Sequence, residues 1–431
     1  MRSIREIKTI LTNGDLDEKL AYLYCRKKDE IQPFRDRVFH IIEGYQKTFE
    51  KDDSAQAGVF SAPGRTEIGG NHTDHQRGKV LTGSVDLDAL ACAGRNGTKT
   101  VNIFSEGYGL ISIDIADLAP VKMEENTTYA IIRGMVAKIA SLGYSAGGFD
   151  AYVISDVPGG SGLSSSACFE VLLGTLINGL FCEERLSMEE IARIGQYAEN
   201  VYFGKPSGLL DQMGCALGGI VAIDFFDRDN PKITPVRFDF ASAGHALCII
   251  DTGADHADLT DEYAAVPAEM KSVAAAFGRE VLCEVNEDDF YRAVPQLRND
   301  LGDRAVMRAI HYYTDCHRVE KMVAALEKDD FLLFLRLVSS SGHSSYMYLQ
   351  NVDSFRDPRH QPVGLALAMA GHYLNNCGAR RVHGGGFGGS IQTYVPLDMV
   401  ERFKTGMDAL LGEGACRVTY IRPIGGCTLI D

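Results

Sequence analysis

The 431-residue chain contains no tryptophan, so any stacking on a nucleobase must use another side chain. Its eleven cysteines are scattered, odd in number and without a C-x-x-C pair, which excludes a metal-finger spacing and argues against a disulfide framework. Cys92, Cys168, Cys215 and Cys248 stand among apolar or small neighbours and read as buried thiols. A reducing, cytoplasmic setting is expected. No apolar run approaches the roughly 20 residues that span a bilayer, and the start "MRSIREIKTILTNGDLDEKL" lacks the apolar centre of a secretory signal. Positive charge is scarce: 43 Lys and Arg against 58 Asp and Glu give a net −15. That balance speaks against nucleic acid or an anionic membrane as partner, both being polyanions. Two common nucleotide fingerprints are missing as well, the G-x-x-x-x-G-K-[ST] P-loop and the Rossmann glycine spacing with its downstream acid. There is no repeat of fixed period and no low-complexity tail.

What is present is ordinary globular material, 45% hydrophobic and 23% charged. The length predicts two domains. The polar "FFDRDNPKITPVRF" suggests a boundary near residue 240, giving residues 1–240 and 241–431. Helical spacing runs through residues 4–50, and a body starts near Val59 with strand-like runs "KVLTGSVDLDALACAG", "TVNIFSE" and "LISIDIADL". A helix at 127–142 precedes the strand "GFDAYVISDVP", and helices dominate from "HALCIIDTG" to about residue 377. Strands and helices mix without strict alternation, which predicts an α+β fold.

Four stretches carry chemistry. "APGRTEIGGNHTDHQRG", residues 62–78, crowds Arg65, Asn71, His72 and Asp74 into a run with almost nothing to bury, and reads as a polar loop. "PGGSGLSSSACFE", 158–170, joins glycines and serines to the start of an apolar helix. It is either a phosphate cradle, using backbone N–H groups and hydroxyls, or a plain Gly/Ser turn capping the helix. In "AENVYFGKPSGLLDQMG", Asp211 lies between apolar residues; it is either chemically employed or the N-cap of a helix starting at Gln212. "HGGGFGGS", 383–390, needs positive φ, close backbone approach or a strand-edge bulge. A zinc site on "HTDH" would leave the serine loop and the glycine run without a purpose.

In this order the motifs resemble the galactokinases of the GHMP kinase superfamily, over about residues 58–396. The first stretch is similar to a signature reading approximately G-R-x-N-L-I-G-E-H-T-D-Y, "PGGSGLSSSA" to the nucleotide-phosphate loop, "SGLLDQMG" to the segment with the catalytic aspartate, and "GGGFGGS" to a third motif. The resemblance implies a ribosomal-protein-S5-like N-terminal half, a ferredoxin-like C-terminal half, and transfer of the ATP γ-phosphoryl group to a sugar's anomeric hydroxyl. It implies Asp211 and Arg65 as the catalytic pair and Ser166 and Glu199 as Mg²⁺ ligands. Asn71, His72, Asp74, Gly208 and Tyr263 would contact sugar. Gly159, Gly160, Ser161, Gly162, Leu163, Ser164, Ser165 and Ser166 would wrap the ATP phosphates. The expected ligands are a small sugar and ATP, and the expected assembly is a monomer or homodimer. The adenine site is expected near Tyr129.

The sequence departs from that signature where Asn71 replaces a glutamate that contacts the C6 hydroxyl, and where His75 replaces a tyrosine. An amide would not repel a uronic acid, so a galacturonate or L-arabinose 1-kinase is the alternative to a galactokinase, with Arg77 the one nearby cation for a carboxylate. Some relatives bind galactose and ATP without catalysis, but the serine loop, Arg65, Glu199 and Asp211 are all present here.

Overall fold

The computed structural model describes residues 1–160, 162–205, 207–227, 230–254, 259–354 and 356–431. Its centre is the hairpin of two long antiparallel strands, Gln56–Gly69 and Lys79–Arg95. Around it a nine-stranded sheet runs Arg2–Ser3, Gln56–Gly69, Lys79–Arg95, Phe149–Ser155, Thr100–Ser105 and Gly109–Asp114, with further strands on the hairpin's flanks. All pairings are antiparallel except Thr100–Ser105 with Phe149–Ser155.

Both faces of this sheet are covered, so alternate residues of the same strands enter different cores. Phe60, Ala62, Ala89, Ala91 and Ala93 face helices Thr128–Ser141, Ser165–Phe181 and Met188–Tyr197. Val59, Leu90 and Cys92 face the N-terminal helices Ile4–Asn13, Asp17–Leu23 and Gln32–Thr48, where Ile7, Leu11, Val38, Ile42 and Tyr45 are fully buried. The helical spacing at residues 4–50 is therefore an amphipathic lid on the sheet's second face. A Ser3–Glu6 capping box starts it.

A second, four-stranded antiparallel sheet is ordered Ala379–His383, Gly389–Pro396, His245–Ala254, Cys416–Thr419. Helices Pro362–Leu374 and Val400–Leu411 cover one face, and Asp303–Glu327 and Phe331–Ser344 the other. The last strand, Cys427–Ile430, returns to the first sheet and pairs with Gln56–Gly69. The architecture is α+β. Among the described residues no helix is long and apolar enough to cross a membrane.

The polar run at 62–78 is not a loop over its first half. Residues 62–69 continue the strand Gln56–Gly69 and are buried throughout. Polar side chains can lie there because each finds a partner: Arg65 in Asp211, and Thr66 and Glu67 in His383, Gln392 and Arg381 of the second sheet. Register shifts at Pro63/Arg65 and Glu67/Gly69 interrupt the ladder; such bulges re-aim side chains beside functional sites.

One buried ion cluster ties the termini to the hairpin. Asp88 accepts from Tyr24 Oη at 2.7 Å, Arg37 Nη1 at 2.9 Å, Arg422 Nη1 at 2.9 Å and Ser61 Oγ at 2.5 Å. Burial alone would raise its pKa, but Arg37 and Arg422 hold it below the usual carboxylate range. Asp88→Asn leaves the buried Arg422 guanidinium without its counter-charge, and should cost about 3–5 kcal/mol of unfolding free energy. Urea titration measures this; a loss under about 1 kcal/mol would show that the cluster is not structural.

Candidate active site

A polar cavity of about 110 Å³ opens at the end of the hairpin strand Gln56–Gly69, with Tyr263 and Gly385 on its opposite wall. Its lining brings together nine of the expected residues, Arg65, Asn71, His72, Asp74, Ser166, Glu199, Gly208, Asp211 and Tyr263, and adds Glu67, which the sequence reading did not assign. They come from the strand Gln56–Gly69, the turn after it, the start of helix Ser165–Phe181, a π-helical turn Ala198–Phe203, and helices Leu210–Leu217 and Thr260–Ala276.

Asp211 is no N-cap. It is the second residue of Leu210–Leu217, and both carboxylate oxygens are held while Oδ2 keeps room for a further donor: Oδ1 accepts from Arg65 Nε at 2.8 Å and Nη2 at 2.6 Å, and Oδ2 from Ser164 Oγ at 2.6 Å. Burial raises the Asp211 pKa, but the Arg65 guanidinium and the Ser164 hydroxyl outweigh it, so the group stays ionised below its ordinary range. Arg65 is itself buried, and its remaining Nη1 donates to the Gly162 carbonyl.

The Gly/Ser loop is held against this pair. Arg65 N donates to Leu163 O at 3.0 Å. Gly160 and Gly162 have φ of 74° and 71°, and a Cβ on Gly162 would press on His383 and Ser390 of the glycine-rich third motif. Ser164 adopts φ 58° and spends its hydroxyl on Asp211, so helix Ser165–Phe181 starts without a side-chain cap. Its first N–H groups are then available to an anion, aided by the dipole. Gly159 and Gly160 face open space, Leu163 is buried, and Ser161 lies outside the described residues.

His72 adopts φ 58° and is sealed from solvent. Burial and the adjacent His75 push its pKa down to about 3, so the ring is neutral. Nε2 lies 2.9 Å from Gly385 O and must donate to it, which leaves Nδ1 a buried acceptor with no partner among the described residues. That bare lone pair suits a ligand hydroxyl. The edge of Tyr263 packs on His72, with centroids 5.1 Å apart. Gly208 makes room for Asp74, since a Cβ there would land on Asp74 Oδ2. Among the described residues no three of His, Cys, Asp and Glu converge on a metal position.

Glu199 is buried, with Oε1 at 3.4 Å from Lys205 Nζ and Oε2 accepting from Gln212 Nε2 at 2.9 Å. Gln212 Nε2 also donates to Glu170 Oε2 at 3.0 Å, and burial plus the charge of Glu199 lift Glu170 well above the usual carboxylate range. Glu170, Gln212 and Lys205 were missed by sequence reasoning. A signal existed: Glu170 is the only charged residue in "SSACFEVLLGTLINGLF", and a lone carboxylate in an apolar helix needs a use.

A second cavity of about 360 Å³ adjoins Ser165 and Ser166, walled by Ile103, Tyr108, Ile111, Ile131, Phe169 and Phe203. Thr128 and Ile131 from the expected segment line it, whereas Tyr129 does not; Tyr108, Phe169 and Phe203 come from elements far apart in sequence.

A Gly/Ser loop before an uncapped helix, a buried arginine paired with a half-buried aspartate, and a glycine-rich strand entry mark a class of small-molecule kinase. The model for the GHMP kinases N terminal domain matches residues 126–219, which sets that class. The galactokinase galactose-binding signature matches residues 43–95. A galactokinase of Streptomyces coelicolor is 32% identical over 377 residues, covering 86% of this chain and 93% of that protein. One from Actinobacillus pleuropneumoniae is 29% identical, covering 83% and 90%. The chain belongs to the galactokinase family. In fold, it is similar to Lactococcus lactis galactokinase complexed with galactose, at TM-score 0.76, 23% identity, and 90% and 99% coverage of the two chains. L. major mevalonate kinase in complex with R-mevalonate follows at TM-score 0.58 and 15% identity, covering 85% and 97%.

Gly208→Ala should force Asp74 from its place and cost about 1–3 kcal/mol by overpacking. A thermal melt reads this as a lowered Tm, and an unchanged Tm would show that Asp74 swings aside freely.

Proposed function

We propose that this chain is an ATP-dependent galactose 1-kinase, converting α-D-galactose and ATP to α-D-galactose 1-phosphate and ADP. The observation that carries the reading is the Arg65–Asp211–Ser164 constellation, which sits where the polar cavity meets the uncapped helix. A small polyol fits the polar cavity. The apolar cavity beside Ser165 and Ser166 takes the adenine, with Tyr108, Phe169 and Phe203 offering the ring faces that a tryptophan does not supply.

In this reading the ionised Asp211 accepts a hydrogen bond from the anomeric hydroxyl and orients it at the γ-phosphorus. As the new O–P bond forms and the bond to the β-phosphate oxygen breaks, the hydroxyl becomes acidic and its proton passes to Asp211. A low pKa makes Asp211 a weak base at the outset, which fits a loose transition state where the proton moves late. Arg65 keeps Asp211 ionised and offsets charge on the phosphoryl oxygens. The first amides of helix Ser165–Phe181 receive the phosphates.

The donor set also fits Mg²⁺. Ser166 and Glu199 offer oxygen, line the same cavity, and the Ser166 hydroxyl makes no hydrogen bond to the described residues. Bound there, the cation would neutralise phosphate charge. Chelation should stop turnover, and Glu199→Gln should raise the Mg²⁺ concentration needed for half-maximal rate.

ADP release measured with galactose, galacturonate, L-arabinose, glucose and N-acetylgalactosamine tests the assignment, with galactose expected to have the highest kcat/KM. Asp211→Asn should lower kcat by at least about 100-fold while calorimetry still detects galactose binding. Near-normal turnover in that variant would remove Asp211 from the proposed role.

A further inference from the structure

The galactose reading leaves open which side chain supplies the acidic contact at the far end of the polar cavity, where Asn71 stands in place of the expected glutamate. The Asn71 amide has nothing left to give. Nδ2 donates to Glu67 Oε1 at 2.9 Å and to Gly384 O at 2.7 Å, while Oδ1 accepts from Asn351 Nδ2 at 2.7 Å and Ser345 Oγ at 3.2 Å. Two donors and two lone pairs are the whole capacity of a carboxamide. Its peptide group is equally committed, with N donating to Asp315 Oδ2 at 3.2 Å and O lying 2.9 Å from His311 Nε2.

Glu67 lines the same cavity, one helical turn's worth of sequence earlier, and its carboxylate is half used. Oε1 accepts from Asn71 Nδ2 and from Arg381 Nη2 at 2.6 Å, whereas Oε2 accepts from none of the described residues. The residue is only 5% exposed. Burial lifts its pKa to about 7 against the pull of Arg381 and Arg65. A carboxylate oxygen so poorly solvated gains from any hydroxyl that donates to it.

We propose that Glu67, clamped by Asn71 and Arg381, is the specificity-determining residue that receives a sugar hydroxyl here, and that in its ionised form it selects a neutral sugar over a uronate. The inference rests on the sugar-kinase reading above. It also reverses the expectation that the amide opens the site to galacturonate, because the acid has not been lost from the cavity but stands four positions earlier. The cations nearby are already taken: Arg65 by Asp211, Arg381 by Glu67, Lys205 by Glu199, and Arg77 by Glu280 and Glu284. A uronate carboxylate would therefore enter a cavity lined by Glu67, Asp74 and Asp211 with no unpaired cation among these to receive it.

The test is Glu67→Gln, which keeps shape and an acceptor but removes the charge. Kinetics on galactose and on its 2-, 3-, 4- and 6-deoxy analogues should show kcat/KM for galactose falling at least about tenfold, with KM for ATP within about twofold. For the one analogue that lacks the hydroxyl Glu67 receives, the penalty should shrink to under about threefold. The ratio of galacturonate to galactose kcat/KM should rise. A penalty equal across all five sugars, or none, overturns the proposal. The exchange variant Glu67→Asn with Asn71→Glu checks that any loss is chemical; a soluble exchange variant should recover most of the galactose activity lost in Glu67→Asn alone, and no recovery counts against the proposal. If the unaltered protein released no ADP with any of these sugars, the kinase reading would fall. Calorimetry with galactose then decides Glu67 separately: binding weakened in Glu67→Gln supports it, and binding unaffected or absent overturns it.

Discussion

Arg65 is a guanidinium that folding has taken out of water, and much of the site exists in a form that satisfies it. A buried cation is tolerated only with a counter-charge and hydrogen bonds for its N–H groups. Arg65 obtains these from Asp211 and the Gly162 carbonyl, and its backbone N–H from Leu163. One residue of the central hairpin thereby fixes the helix that carries the acid and the loop that precedes the uncapped helix. The same pairing keeps Asp211 ionised, so the requirement of stability and the requirement of phosphoryl transfer are met by one geometry.

A polar seam extends from that pair into the second half of the molecule. Gln392 Nε2 donates to Thr66 Oγ1 at 2.6 Å and Glu67 O at 3.0 Å, Arg381 reaches Glu67 and the Ile68 carbonyl, and Asp315 accepts from the backbone of Gly70 and Asn71. Such a join costs desolvation that apolar packing would not, but it holds the turn at residues 70–76 from both sides. Side chains meant to read hydroxyls need that rigidity, because a donor or acceptor displaced by an ångström loses its partner. His72, in a left-handed conformation with one ring nitrogen that meets no partner among the described residues, is where the constraint is most visible.

Most elements were legible from periodicity. Residues 4–50 show a 3.6-residue apolar stripe because they cover one face of a sheet, and "KVLTGSVDLDALACAG" reads as a strand because small and branched residues fill two cores at once. Three motifs in order marked the fold class. The stretch 62–78 misled because polarity normally signals a loop; here most of the partners that make burial tolerable lie between 97 and 326 residues away. Asp211 was ambiguous for the same reason, since an N-cap and an ion-paired carboxylate read alike until Arg65 and Ser164 are beside it.

What the sequence determined by itself was the inventory: a glycine-serine loop before an apolar helix, an acid in an apolar context, a glycine-dense strand entry, and an amide where a glutamate was expected. The first three are properties of short stretches that local spacing suffices to state; the fourth is what the resemblance to the galactokinases implies. The tertiary structure alone decided which groups remain free. Hydrogen-bonding capacity is finite, and whether Asn71 or Glu67 has any left depends on Gly384, Asn351, Ser345 and Arg381, four residues at least 274 positions distant from Asn71 or Glu67.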